Sequence, residues 1–264
     1  MSAHILIRGG GDLASGVALR LHRAGLKVLI SELPQPLAVR RTVSFAEAVY
    51  AGRVTVEELP ARLVKREQVR AALDAGEIPV LVDPEAAILA DMDFTVVIDG
   101  RLTKHPPEPL PVSIPLHIGL GPGFHAGRNC NAVIETRRGH TLGRVYWEGT
   151  TQPDSGQPEG DPRRVLRAPA EGVFDSQIQI GEHVEAGQIV ATVADESIAS
   201  PFPGVVRGLL HPGLRVTKGL KVGDVDPRDD PALCRLVSDK ALAIGGGVLE
   251  TILARPEIRA TLWK

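Results

Sequence analysis

Three groups of residues in this chain have types and spacings that could do chemistry. The first is Gly9-x-Gly11-x-x-Ala14, inside the run RGGGDLASG, followed by Glu32. In such a run the first glycine permits a tight turn, the second lets an anion approach the backbone, and the small third residue lets a helix lie close to a strand. An acid about 20 residues on commonly holds a ribose hydroxyl. Gly9, Gly10, Gly11 and Asp12 are therefore candidates to cradle a phosphate on backbone N–H groups at a helix start, with Glu32 for a ribose. The second group is Arg40–Arg41, since guanidinium pairs bidentately with phosphate or carboxylate. The third is Gly119-x-Gly121-Pro122-Gly123, where successive N–H groups can form an anion nest. Gly121 and Gly123 are its candidates, with Arg128, Arg137, Arg138 and His140 nearby in sequence. Each group also has a plainer reading, as a packing glycine, a solvated basic loop or a simple turn.

Other reactive types offer less. His117, His125, Cys130 and His140 fit no standard zinc spacing, and no metal is expected. Cys130 could handle sulfur or be an inert packed thiol; both stay open. No residue is singled out as catalytic.

The elements that must position these groups follow from periodicity. His4 to Arg8 reads as a strand, Asp12 to Ala24 as a helix with Leu13, Val17 and Leu21 on one face, and Lys27 to Ser31 as a second strand. This is the order of a βαβ unit. Ser44-x-x-Glu47 and Thr55-x-x-Glu58 look like capping boxes that start short helices. A helix over Lys65 to Ala75 and apolar strands Pro79 to Val82 and Phe94 to Ile98 follow, with Asp83 and Asp99 at their ends. Lys104 to Pro115 holds five prolines and reads as a surface connection.

The last hundred residues repeat themselves. At a constant offset of 32 residues, Pro169, Gly172, Val173, Gly181, Val184, Gly187, Val190 and Val193 meet Pro201, Gly204, Val205, Gly213, Val216, Gly219, Val222 and Val225. Neither half could bury its apolar face alone. The pattern resembles the barrel-sandwich hybrid of biotinyl and lipoyl carrier domains. The hairpin between the halves, VADESIASP, has no lysine, so no biotin or lipoyl attachment is expected. The tail LCRLVSDKALAIGGGVLETIL is helical in period, with Ser238 as N-cap and glycines 245–247 suited to close backbone approach.

Together these readings predict an α/β, Rossmann-like N-terminal domain over residues 1–150 with an irregular middle segment, and a linker at 151–164. A mostly β barrel-sandwich hybrid of two halves then fills 165–230. A C-terminal helix within 231–264 packs back on the first domain.

Composition limits the function. The chain has 264 residues, 43% of them hydrophobic, a formal net charge of −2 and only 3% aromatics, which argues against nucleic-acid and anionic-membrane partners. No apolar run is long enough to span a bilayer, and MSAHILIRGGG lacks the regions of a secretory signal. With two cysteines in no framework spacing, a reduced, cytoplasmic compartment is expected.

Several stretches, among them RGGGDLASGVALRLHRAG, SELPQPLAVRRTVSFAEAV, GLGPGF, VIETRRGHTLG, VGDVDPR and SDKALAIGGGVLE, resemble accessory proteins of the selenium-dependent molybdenum hydroxylase system, from about residue 4 to 254. The first domain is also distantly similar to xanthine dehydrogenase accessory proteins. The resemblance implies a maturation factor that partners a molybdenum hydroxylase or its cofactor-maturation proteins, possible as a homo-oligomer, and holds a nucleotide or molybdopterin dinucleotide on the glycine turn. The alternatives are an NAD(P)-dependent oxidoreductase and a non-catalytic interaction scaffold. The resemblance leaves open whether selenium or sulfur is handled.

Overall fold

The computed structural model describes residues 4–156 and 160–262. Residues 157–159 of the expected linker 151–164 lie outside the described residues. The chain divides into two compact units, the first comprising residues up to 36, Ser44–Asp154 and residues from 237 on, the second Leu37–Val43 and Ser155–Leu236.

In the first unit the chain forms β1 (His4–Arg8), α1 (Asp12–Arg23), β2 (Val28–Glu32), α2 (Ala48–Ala51), β3 (Arg53–Val56), β4 (Leu59–Leu63), α3 (Val69–Asp74), β5 (Ile78–Val82), β6 (Phe94–Asp99), β7 (Leu116–Leu120), β8 (Ala132–Ile134) and β9 (Val145–Tyr146). Its strands make one sheet in the order β3-β4-β5-β2-β1-β6-β7-β8-β9. The inner strands from β4 to β8 run parallel, while β3 and β9 close the two ends antiparallel. Parallel strands are covered on both faces and so read as unbroken apolar runs, as in β2, which is buried throughout. Leu6, Leu29 and Val97 pack on one face with α3 residues Val69, Ala72 and Leu73, and Leu110, Val112 and Ile114 lean on the same cluster.

The second unit contains β10 (Val165–Arg167), β11 (Gly172–Asp175), β12 (His183–Val184), β13 (Ile189–Val193), β14 (Glu196–Ala199), β15 (Gly204–Leu209), β16 (Arg215–Val216) and β17 (Lys221–Asp226). These form two four-stranded sheets, β10-β17-β15-β12 and β14-β13-β11-β16. The repeat explains the pairing. Gly172 pairs with Val216 and Gly204 with Val184, so each half lends its short strand to the sheet of the other. After this unit come α4 (Asp239–Leu253) and α5 (Pro256–Leu262). Ser238 caps α4 by accepting from the Ala241 N–H. Helices α1 and α4 lie backbone to backbone: a Cβ at Gly16 would stand 2.5 Å from that of Ala241, and one at Gly245 2.9 Å from the Gly16 carbonyl.

The expected fold needs correction in both parts. The first unit is a nine-stranded mixed sheet with antiparallel edges and few helices, in place of a Rossmann-like α/β domain. Its connections explain this: Pro34 and Pro36 follow β2, and residues 104–115 between β6 and β7 carry five prolines and no helix. Proline lacks the N–H that a crossover helix needs. The second unit is two small antiparallel sheets; no barrel-sandwich hybrid is shown. Thr55 and Glu58 also start no helix. They belong to the β3–β4 hairpin, which turns at Glu57 with a positive φ of 53°.

Candidate functional site

In the parallel part of the sheet, the chain runs from β1 to one side through β2 and β5, then returns to β6, β7 and β8 on the other. In open parallel sheets, ligands favour the crevice at the carboxyl ends of strands where the direction reverses, here between β1 and β6. Acids mark these strand ends. Glu32 ends β2, Asp83 follows β5, Asp99 ends β6 and Glu135 follows β8, and all four are buried.

All four accept from backbone N–H groups, Asp99 from that of Arg101 at 3.3 Å, and Asp99 holds guanidinium groups as well. Glu32 accepts from the Gly10 N–H at 2.6 Å and the Leu33 N–H at 2.7 Å. Asp83 accepts from Ala87 and Ile88, and Glu135 from Arg137 and Gln152. Asp99 differs. Fully buried, it takes a two-pronged contact from Arg101, with Nε at 2.9 Å from Oδ1 and Nη2 at 2.7 Å from Oδ2. On its other side Arg8, at the end of β1, places Nη1 3.6 Å from Oδ2 and donates from Nη2 to the Pro84 carbonyl. The Arg8 side chain is 5% exposed and its Nε has no hydrogen-bond partner among the described residues. Two guanidiniums thus share one buried carboxylate.

The electrostatics follow from this sharing. Burial, then the charge of Arg101, lowers the Arg8 pKa, and Asp99 offsets this only in part. Burial is the largest influence on Arg101 and works against its charge, but the hydrogen bonds to Asp99 together with the negative charges of Asp99, Glu108 and Glu85 hold its pKa above the ordinary value. Burial raises the Glu32 pKa against the two backbone N–H groups that favour its charged form.

The glycine turn lies beside this cluster. Gly9 has φ +86° and donates its N–H to the Ser31 carbonyl. Gly10 packs under the next segment, where an added Cβ would lie 2.9 Å from the Ala46 nitrogen, and its carbonyl accepts from Ala46 and from the Ser15 hydroxyl. Gly11 is different: it is the N-cap of α1, no side chain caps that end, and an added Cβ would meet nothing within 4 Å. Asp12 opens the first turn of α1, where its charge suits the helix dipole. The carboxyl edge also exposes apolar side chains at Leu33, Val82 and Leu102.

The remaining expected residues go elsewhere. Arg40 and Arg41 belong to the second unit, where Arg40 donates to the Leu236 carbonyl and Arg41 to the Leu209 carbonyl. Gly121 and Gly123 are filled by the protein itself: a Cβ at Gly121 would be 2.5 Å from Thr136 Oγ1, and one at Gly123 2.6 Å from the Thr103 carbonyl. Arg138 pairs with Asp239. Cys130 is buried, and burial pushes its thiol up to about 11, so it is protonated at neutral pH. Among the described residues, no three His, Cys, Asp or Glu side chains come together as a metal-binding group. Sequence reasoning placed Asp99 at a strand end, either pointing at the cleft or capping the next turn, and passed over Arg8 and Arg101. The available signal was a charged residue at each end of two apolar strands, Arg8 and Asp99, which pair directly in register.

No family model matches the chain. It is 46% identical over 254 residues to the Escherichia coli K12 protein named uncharacterized protein YqeB, covering 94% of this chain and 47% of that protein. The chain therefore spans about half the length of this curated relative. Solved structures similar to it include an aspartoacylase family protein from Mesorhizobium loti, 13% identical with TM-score 0.26, and a succinylglutamate desuccinylase/aspartoacylase from Rhodobacter sphaeroides, 15% identical with TM-score 0.26. Each match covers 85% of both chains. Likeness at that level carries no argument about chemistry. These findings correct the expected function. The relatives named above are YqeB and aspartoacylase-type structures, and they give no support to maturation of a molybdenum hydroxylase. The expectation of selenium-dependent maturation, with its oxidoreductase and scaffold alternatives, is withdrawn. No helix among the described residues is long and apolar enough to cross a membrane.

Proposed function

We propose that the first unit binds a small organic anion at the carboxyl edge of β1 and β6. Arg8 and Arg101 supply the charge, and the uncapped start of α1 at Gly11 supplies backbone donors. The observation that carries this reading is the shared carboxylate: a single buried acid, Asp99, serves two guanidiniums, one of them buried with an unpartnered Nε, while Glu108, 3.8 Å from Arg101, is 85% exposed. Buried charge calls for a counter-charge, and the other acids acting on Arg8, Glu85 and Glu108, are exposed to water. Exposed Leu33, Val82 and Leu102 on neighbouring strand ends suit an apolar or ring portion of the ligand. Glu32 already occupies the Gly10 N–H, so the anion belongs at Gly11 and beyond. Both cysteines are buried and free, which suits a reducing compartment such as the cytoplasm.

The test is calorimetry with inorganic phosphate, pyrophosphate, ATP and succinate. At least one should bind, and Arg101→Ala, a half-buried position, should weaken it about tenfold, the loss of one charge-assisted contact. Folded protein that binds none of these, or Arg101→Ala that binds as well as the parent, would overturn the reading.

A further inference from the structure

Glu32 stands where the glycine motif calls for an acid that holds a ribose, yet both of its oxygens are spent on the chain itself. Oε2 accepts from the Gly10 N–H at 2.6 Å and Oε1 from the Leu33 N–H at 2.7 Å. Two such donors favour the charged form of a carboxylate. The glycine turn therefore already holds one anion, the protein's own. The next N–H group belongs to Gly11, whose Cα is about 3.8 Å along the chain, and there no side chain caps α1. An anion bound at Gly11 is thus a close neighbour of the Glu32 carboxylate. Asp12, in the first turn of α1, adds a second negative charge to that turn.

The positive charge available is limited. Arg8 and Arg101 carry two charges and Asp99 balances one of them, which leaves one. A single carboxylate matches that excess, whereas a phosphate monoester, with about 1.5 to 2 negative charges at neutral pH, exceeds it. Repulsion from Glu32 grows in proportion to the ligand's charge, so a phosphate meets nearly twice the opposition that a carboxylate meets. Phosphate is also best cradled by several successive backbone N–H groups, and Glu32 has taken the one at Gly10. A carboxylate needs fewer donors, and a guanidinium N–H with the Gly11 N–H is enough to serve its two oxygens.

We propose that Glu32 makes this site selective for a carboxylate over a phosphate, so that its ligand is an organic acid with one carboxylate on an apolar or ring body. The inference rests on the anion site proposed above and names its ligand class and the residue that sets the preference. Glu32 acts by filling the donor a phosphate needs and by repelling the second charge a phosphate brings. The ring or apolar body lies toward Leu33, Val82 and Leu102, which are exposed at the same edge.

The experiment is calorimetry on the full chain at about pH 7.5 with benzoate, phenyl phosphate and methyl phenyl phosphate, which share a ring and carry one, nearly two and one negative charges. Benzoate should bind about tenfold more tightly than phenyl phosphate. Methyl phenyl phosphate keeps the phosphorus and loses one charge, so it should recover most of that difference. Glu32→Gln keeps the side chain's size and an oxygen for Gly10 while removing the charge. It should raise the affinity for phenyl phosphate about tenfold and for benzoate about threefold, in proportion to their charges. If that variant does not fold, the two phosphates on the parent chain carry the test. Arg101→Ala should weaken benzoate about tenfold, which checks the site itself. If none of the three ligands binds, or benzoate is indifferent to Arg101→Ala, the anion site falls and this inference with it. If they bind through Arg101 but phenyl phosphate equals benzoate, methyl phenyl phosphate is no better than phenyl phosphate, or Glu32→Gln shifts both ligands alike, the site stands and the carboxylate preference is overturned.

Discussion

Two glycine turns follow parallel strands in this chain, one after β1 and one after β7, and they use glycine for opposite reasons. At Gly119, Gly121 and Gly123 the protein fills the space itself: a Cβ at Gly119 would stand 2.1 Å from the Phe124 ring and one at Gly121 2.5 Å from Thr136. At Gly11 nothing lies within 4 Å of an added Cβ, and the neighbouring strand ends carry Arg8, Asp99 and Arg101. The second turn is closed by packing at all three glycines, whereas the first is packed at Gly10 and left open beside charge at Gly11. A glycine cluster therefore marks a close approach without saying whether the approaching backbone or side chain is the protein's own.

The comparison is broken most severely by removing the charge that backs the first turn. Asp99→Asn leaves Arg8 and Arg101 without their shared carboxylate, and breaking a buried pair in this way costs about 3–5 kcal/mol. Urea denaturation should show that loss, and replacing Arg8 by Met in the same chain should recover part of it. A change within about 0.5 kcal/mol would mean that charge contributes nothing there.

Packing is tested at the second turn. Gly121 has φ +74°, so Gly121→Ala combines a strained backbone with the Thr136 clash, a loss of about 2–3 kcal/mol. Adding Thr136→Ala should return the steric share and leave the backbone share. Full recovery would show that the left-handed conformation at Gly121 is not what demands glycine.

Glu32 sharpens the contrast through pH. Its folded pKa is raised by burial, so the stability it contributes is full below the unfolded glutamate value and is lost as pH rises through the folded one. A stability profile from acid to neutral pH should show this declining limb in the parent and not in Glu32→Gln. An identical limb in both would assign the titration to another group.

How much of this could be read from residues alone divides along the same line. The strands β1, β2, β5 and β6 and helix α1 were legible because apolar runs and a 3.6-residue period are local signals. The 32-residue repeat was legible too, since the turn glycines recur without a gap. The edges were not: whether β3 and β4 form a hairpin depends on Glu57 accepting a positive φ, and Thr55 with Glu58 imitates a cap. Where Arg40 and Arg41 donate was not legible either, because the Leu236 and Leu209 carbonyls that accept from them lie 196 and 168 positions away in sequence. His117 drew notice only among residues that fit no zinc spacing, since a buried Nε2 without a partner is a property of its surroundings. The family resemblance rested on short stretches, and the similar proteins found did not support it.

The smallest expected effect discriminates best. Gly11 has φ −63° and ψ 176°, a conformation open to any residue, and its Cβ would enter unoccupied space. Alanine is a poorer N-cap than glycine, a loss of some tenths of a kcal/mol, while a less flexible unfolded chain returns about 0.4–1 kcal/mol. Gly11→Ala should therefore leave stability within about 0.5 kcal/mol of the parent. Its methyl group nevertheless stands at the start of α1, where the proposed anion meets the backbone. Anion affinity at the carboxyl edge should fall about tenfold in a protein whose urea midpoint has not moved. Gly121→Ala should give the reverse, a shifted midpoint with unchanged affinity in the molecules that remain folded. If Gly11→Ala binds the anion as the parent does, the open space beside Arg8 is no part of a site, and the two turns differ only in how tightly they are packed.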